Sequence, residues 1–192
     1  MLKAIAAGVL MLVTIAASAQ TALHTYQDAQ NGVSFQYDIA YWHPYTDQDE
    51  QYLRPSIQPT RAAIVFNKKD DTYPGTDFSG LSFNYGIAPA KTAAACAAVI
   101  LQYGDTAPGA PVTVNGVHFN FTQGGDAAMS HQISERLYST FTNGRCYVFD
   151  LALTTVGYGV MDDVRQMNQA EMNDAQQSLD SIFGTVKIEK LK

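Results

Sequence analysis

Positive charge is scarce in this chain. Lysine and arginine number 12 in 192 residues against 18 acids, a formal charge of −6 with a pI near 5.0. Nucleic acid and anionic membrane surfaces both call for a basic patch, so neither is an expected partner. Cysteine is nearly absent: Cys96 and Cys146 are the whole supply. Two thiolates with no histidine at ligand spacing do not make a zinc site. The four histidines (24, 43, 118 and 131) are scattered. No Gly-x-Ser-x-Gly, phosphate loop, Gly-x-Gly-x-x-Gly or His-Glu-x-x-His occurs, and no cofactor is implied. No internal repeat has a fixed period.

What is present is apolar: 46% of residues are hydrophobic and only 16% are charged. That composition and length build one core and are too short for two ordinary domains. Met1-Leu2-Lys3, the greasy run Ala4 to Ala17 and the small residues Ala17-Ser18-Ala19 follow the order of a secretory signal. The run falls short of the ~20 residues that cross a bilayer. Residues 1–19 are therefore expected to be removed, leaving a single domain over 20–192, periplasmic or secreted, without a stable membrane anchor. No cysteine follows the cleavage point, so no lipid anchor is expected. In an exported chain two cysteines pair by default, the alternative being a reactive thiol. A Cys96–Cys146 bridge would close about fifty residues, worth roughly 4 kcal/mol on the chain-entropy model.

Asn-Gly dipeptides mark three hairpins, because both residues accept the positive φ of a type I′ turn. The longest runs from Met129 to Val156 around Asn143-Gly144. It sets Phe141 opposite Cys146, Ser139 opposite Val148, Leu137 opposite Asp150 and Glu135 opposite Ala152. Apolar side chains fall on both faces of this ribbon, which predicts cover on both sides. A second hairpin joins 26–30 to 33–37 across Asn31-Gly32, and a third pairs Val112 with Phe119 and Val114 with Val117 across Asn115-Gly116. Ala62 to Asn67 and Gly80 to Ala88 read as strands. Thr46 to Arg61 and Lys68 to Gly80 read as loops, and Gly124-Gly125-Asp126 as a link.

Alanine-rich 90–103 reads as a helix, with Cys96, Val99, Ile100 and Tyr103 on one stripe and Gly104 past its end. The expected bridge docks that stripe on the hairpin face bearing Leu137, Val148 and Phe141. A closing helix begins at Asn168 and buries Met172, Ala175, Leu179 and Ile182. Gly184 ends it, and 185–189 form a last strand.

Chemistry is thinly signalled. His131, Glu135 and Asp150 share the Cys146 face, and Glu135 and Asp150 are diagonal neighbours at roughly 7–8 Å. Carboxylates that close can split their pKa values for acid–base work. The competing reading is structural, since that face lies under a helix. His131 and Glu135, four apart on a strand, are about 13 Å apart and share no metal. Asp47, Asp49 and Glu50, and Asp70 with Asp71, lack the glycine and closing glutamate of a calcium loop and read as solvated turns. The aromatics Tyr41, Trp42, Tyr45 and Tyr52 are either a core edge or a recognition surface, since Trp and Tyr dominate binding hot spots.

The element order carries a resemblance. Gly32-Val33-Ser34-Phe35-Gln36-Tyr37 leads to Tyr41-Trp42, then a strand pair, a helix, the long hairpin with Asn143-Gly144-Arg145-Cys146-Tyr147, and a helix ending Ser181-Ile182-Phe183. This pattern resembles the PsbP/Mog1-like group and its small bacterial exported relatives. The resemblance implies an α+β fold, a central antiparallel β-sheet with helices on both faces (an α/β/α sandwich). It also implies a non-enzymatic protein that binds other proteins, photosystem subunits in one branch and a small GTPase in another. Three functions are thus carried forward: an exported interaction or envelope-assembly protein with an unknown protein partner; a carrier of a small apolar ligand or lipid between helix and sheet; and an enzyme using Glu135, Asp150 and His131.

Overall fold

The computed structural model describes residues 23–52, 59–66, 72–104, 108–128, 130–157 and 163–191. The expected signal segment and the Asp70-Asp71 pair lie outside them.

The long hairpin is the centre. Strands β8 (His131–Thr142) and β9 (Arg145–Val156) meet at Asn143 and Gly144, with φ of 51° and 68°. Both values are what the two-residue turn demands, and the pairs are those expected, from Phe141 with Cys146 to Glu135 with Ala152. On the far side of β9 lie β5 (Phe78–Ala88), β4 (Thr60–Phe66) and β3 (Trp42–Pro44). Beyond β8 lie β7 (Val117–Ala128) and β6 (Val112–Val114). The result is a seven-stranded sheet ordered β3-β4-β5-β9-β8-β7-β6. A smaller sheet joins β1 (Leu23–Asp28), β2 (Val33–Asp38) and β10 (Lys187–Ile188) in the order β1-β2-β10. The ladders between these strands are antiparallel.

Alternation along β9 builds the layers. Tyr147, Phe149, Leu151 and Leu153 point to one face, where they meet Phe83 and Tyr85 of β5. Helix α2 (Gln169–Phe183) and the small sheet cover that face, through Ala175, Leu179, Ile182 and Phe183 and through Val33, Phe35 and Tyr37. Cys146 and Val148 point the other way. Helix α1 (Ala93–Leu101) covers them with Cys96 and Ile100, and Leu137 completes this second core. Cys96 and Cys146 are joined by a disulfide, 5.4 Å between Cα atoms. The molecule is α+β, a central antiparallel sheet between one helix on one side and a helix with a small sheet on the other.

Both helices start on side-chain caps. Thr92 accepts from Ala95 N–H at α1. At α2, Asn168 accepts from Glu171 N–H while Glu171 accepts from Asn168 N–H, a reciprocal capping box. Such caps contribute about 1 kcal/mol each.

Four expectations need correction. The opening hairpin does not turn on Asn31-Gly32 alone: Asp28 pairs with Val33, leaving a loop of residues 29–32. Asp28 carboxylate accepts both from Asn31 N–H at 3.1 Å and from its side-chain amide at 2.6 Å, so Asn31 is drawn into the loop and only Gly32 takes positive φ. Gly124-Gly125-Asp126 is no link but the end half of β7, paired with Glu135, Ser134 and Ile133. Glycine is there for closeness: a Cβ on Gly124 would lie 2.4 Å from the Tyr103 carbonyl oxygen, where the chain crosses at Gly104. Helix α1 is shorter than its alanine content suggests, and Tyr103 lies exposed beyond its end. The two polar loops also yield residues to structure, a 3-10 turn at Asp47–Tyr52 and the starts of β4 and β5.

Candidate functional site

The aromatic stretch after β2 divides between core and surface. Strand alternation sends Trp42 inward, 4% exposed, where it meets Phe66 edge-on at 5.3 Å between ring centres. Tyr41 turns outward, 49% exposed, and lies flat over the same Phe66 with 8° between ring planes. Of its two expected readings Trp42 takes the core edge, and it lines a groove from below. Tyr45 is half-buried, its N–H donating to the Ala63 carbonyl, and the Tyr52 side chain lies outside the described residues.

The groove encloses about 900 Å³ between α2 and the end of β2. Trp42, Phe66 and Tyr73 contribute its apolar lining, and Ser178, Ser181 and Ile182 line it from α2. Tyr73 holds φ of 53°, a conformation unusual for a bulky side chain. Its ring packs edge-on against Phe78 and its hydroxyl donates to Asp174 at 2.6 Å. Burial first, and the Asp174 carboxylate second, push the Tyr73 phenol well above its ordinary pKa. It stays a neutral donor at any physiological pH. Burial raises the Tyr37 phenol as well. Leu23 and Tyr41 are exposed apolar side chains that line the groove, and Ile39, two residues before Tyr41, is exposed as well.

Below this region, Asp49 accepts from Thr46 N–H at 2.9 Å and from the Thr46 hydroxyl at 2.7 Å, with His43 Nε2 at 3.2 Å. Burial opposes its ionisation, but the bonds from Thr46 and His43 outweigh it and hold the carboxyl below its usual range. The Asp47–Asp49 run is thus a folded turn, and Asp49 closes it.

His131, Glu135 and Asp150 are not brought together. His131 sits exposed at the start of β8 opposite Val156, Glu135 is half-buried, and Asp150 is wholly buried between Leu137 of β8 and Asn84 of β5. Glu135 and Asp150 keep the diagonal relation their spacing dictates, and neither lines the groove at Trp42. Among the described residues no three His, Cys, Asp or Glu side chains are placed to hold a metal ion. None of the described helices is long and apolar enough to cross a membrane.

What sequence reading missed is the part played by α2 and Tyr73 in forming the groove. Ser178 and Ser181 on α2, each one residue before the buried Leu179 and Ile182, are the available sign.

No protein-family model matches this chain, and no curated protein matches it. Distant likeness to solved structures is found. LpqN of Mycobacterium tuberculosis, a protein involved in cell envelope biogenesis, superposes with a TM-score of 0.45 at 9% identity over 86% of this chain and 91% of its own. A protein from Bacteroides thetaiotaomicron superposes with a TM-score of 0.46 at 11% identity over 86% of this chain. The chain spans about half the length of that protein, 48%.

Proposed function

We propose that this is an exported, non-enzymatic recognition protein of the PsbP/Mog1-like kind, binding another protein of the cell envelope through the groove beside Trp42. One observation carries the reading. Leu23 and Tyr41, two large apolar side chains each about half exposed (58% and 49%), line the same groove. Exposed apolar side chains grouped at a concave site mark interaction surfaces, whereas isolated ones need no explanation. The groove is open along one side and mixes aromatic floor with hydroxyl wall, which suits a segment of polypeptide with alternating side chains. The sandwich arrangement supports kinship with the PsbP/Mog1-like group. The disulfide supports an oxidising compartment.

The second reading, a small apolar ligand or lipid, draws on the groove's size. At about 900 Å³ it falls in the range of roughly 300–1,000 Å³ typical of small-molecule sites. The test uses residues 20–192 as bait in its own envelope extract, beside a Leu23→Ser, Tyr41→Ala double variant. A protein retained by the parent chain and lost from the variant supports the first reading. An extractable lipid lost from the variant supports the second. Identical captures from both remove the groove from the function.

A further inference from the structure

Among the described residues the small sheet has an open edge at β1, whose backbone can be read from a single hydrogen bond. In an antiparallel ladder each residue turns its N–H and C=O to the same neighbour, and successive residues turn to opposite sides. Gln36 N–H donates to Thr185 Oγ1 at 2.8 Å, on the side of β2 away from β1. Ser34, two residues earlier, is paired with Lys187 of β10 on that same side. Val33, Phe35 and Tyr37 therefore face β1, and bond with their partners Asp28, Tyr26 and His24. The intervening residues of β1, Leu23, Thr25 and Gln27, are left with N–H and C=O groups aimed outward, and all three residues are exposed.

The other edges are guarded. β3 is three residues long and ends in Pro44, which has no N–H to give. β6 is three residues and β10 is two, with Lys187 on it. The outer side of β7 is met at Gly124 by Gly104 and at the Phe121 carbonyl by Gly109 N–H. β1 has six residues, no proline, no lysine and no bulge. Short strands, proline, lysine and bulges are the usual means of keeping an edge from pairing, and β1 uses none of them.

We infer that the β1 edge pairs with the same edge of a second copy of this chain. Antiparallel self-pairing about Thr25 puts Thr25 opposite Thr25, Leu23 opposite Gln27 and His24 opposite Tyr26. The outward-facing residues thus coincide in mutually bonded pairs, and the aromatic His24–Tyr26 contact falls on the face that already holds His24 against Tyr37 and Tyr26 against Phe35. The one carboxylate of the strand, Asp28, falls beyond the second copy's Leu23, so no like charges oppose each other in this acidic protein. The pairing is two-fold and consumes both open edges, giving a closed dimer rather than a fibre. Six residues a side is far below the 20–30 of a standard interface, so association is weak, with half-dimerisation on the order of 10–1,000 μM.

Sedimentation equilibrium of residues 20–192 tests this, with two variants. Thr25→Pro deletes an N–H that the fold does not use. Thr25→Lys sets two lysines opposite each other on the two-fold axis, at a residue outside the groove lining. The parent chain is expected to rise from monomer toward dimer mass as its concentration increases to about 1 mM. Both variants should stay monomeric with unchanged circular dichroism. A parent chain that stays monomeric throughout, or a dimer that survives both variants, overturns the inference. So does a monomer whose Leu23, Thr25 and Gln27 amides gain exchange protection only in the presence of another envelope protein. Should Thr25→Pro misfold, Thr25→Lys alone decides. The groove plays no part in the test.

Discussion

The Tyr147 hydroxyl, wholly buried, donates to the backbone carbonyl of Asn31 at 2.9 Å, and this bond ties the tip of the long hairpin to the loop of the small sheet. Arg145 reinforces it by donating to the Gln30 carbonyl at 2.6 Å and to the Asn31 side-chain oxygen. Asn31, 4% exposed, thus holds Asp28, Arg145 and Tyr147 together.

Tyr147→Phe keeps the ring and removes the donor from a buried carbonyl. It should lower unfolding free energy by about 1–3 kcal/mol. Urea titration measures the loss. Asn31→Ala should cost more than Tyr147→Phe, because it removes two side-chain hydrogen bonds, one to Asp28 and one from Arg145. Equal stability of Tyr147→Phe and the parent would show that the two layers are joined elsewhere.

Replacing both cysteines by serine opens a loop closed over 50 residues of sequence separation, which should cost roughly 4 kcal/mol. The local effect is as informative as the total. α1 rests on the sheet chiefly through Cys96 and Ile100, so its amides should exchange faster than those of α2 in the double variant. Uniform loss of protection across both helices would argue against this division.

Glu171 supplies a pH test. Arg165 first, then the capped Asn168 N–H, hold its carboxyl down at about 2. A carboxylate depressed in the folded state stabilises above its unfolded pKa, and that contribution is lost as pH falls from about 4.5 toward 2. Glu171→Gln should therefore be less stable than the parent at pH 7 and equal to it near pH 2. A gap that persists unchanged at low pH would assign Glu171 a role other than its charge.

Gly124→Ala places a methyl 2.4 Å from the Tyr103 carbonyl oxygen, on a backbone that cannot swing aside as a side chain would. Destabilisation of roughly 1–3 kcal/mol is expected, with displacement of the Tyr103-Gly104 crossing. Gly116→Ala is the contrast: open space surrounds it, and only its φ of 81° resists the change.

Trp42 is the only tryptophan of the chain and lines the groove, so its emission reports what enters. A bound segment or lipid should shift or quench that emission by an amount that saturates with concentration. Tyr41→Ala should weaken the response several-fold, and Tyr45→Ala, away from the groove, should not.

The central ribbon was legible because an Asn-Gly turn and a period of two fix its register together, down to Cys146 on the helix-bearing face. The expected disulfide then sets α1 on that face, where the structure has it. The opening loop departs from the Asn-Gly rule because Asn31 answers to a carboxylate three residues back, a side-chain effect that dipeptide rules do not hold. Gly124 and Gly125 looked like punctuation, since a sequence does not reveal that another stretch of backbone passes against them. The groove was half visible. Tyr41 and Trp42 were evident as aromatics, but the wall made by α2 and Tyr73 depends on a contact across a hundred residues, and no local pattern encodes it.

Arg145, Cys146 and Tyr147 are consecutive, and alternation sends the middle one to α1 and its neighbours to the small sheet. All three layers are consequently pinned at one end of β9, like leaves sewn along a spine. Thermal breathing of the molecule should therefore be a splaying motion, smallest at Asn143-Gly144 and widest at the opposite end, toward Ser130 and Gly157.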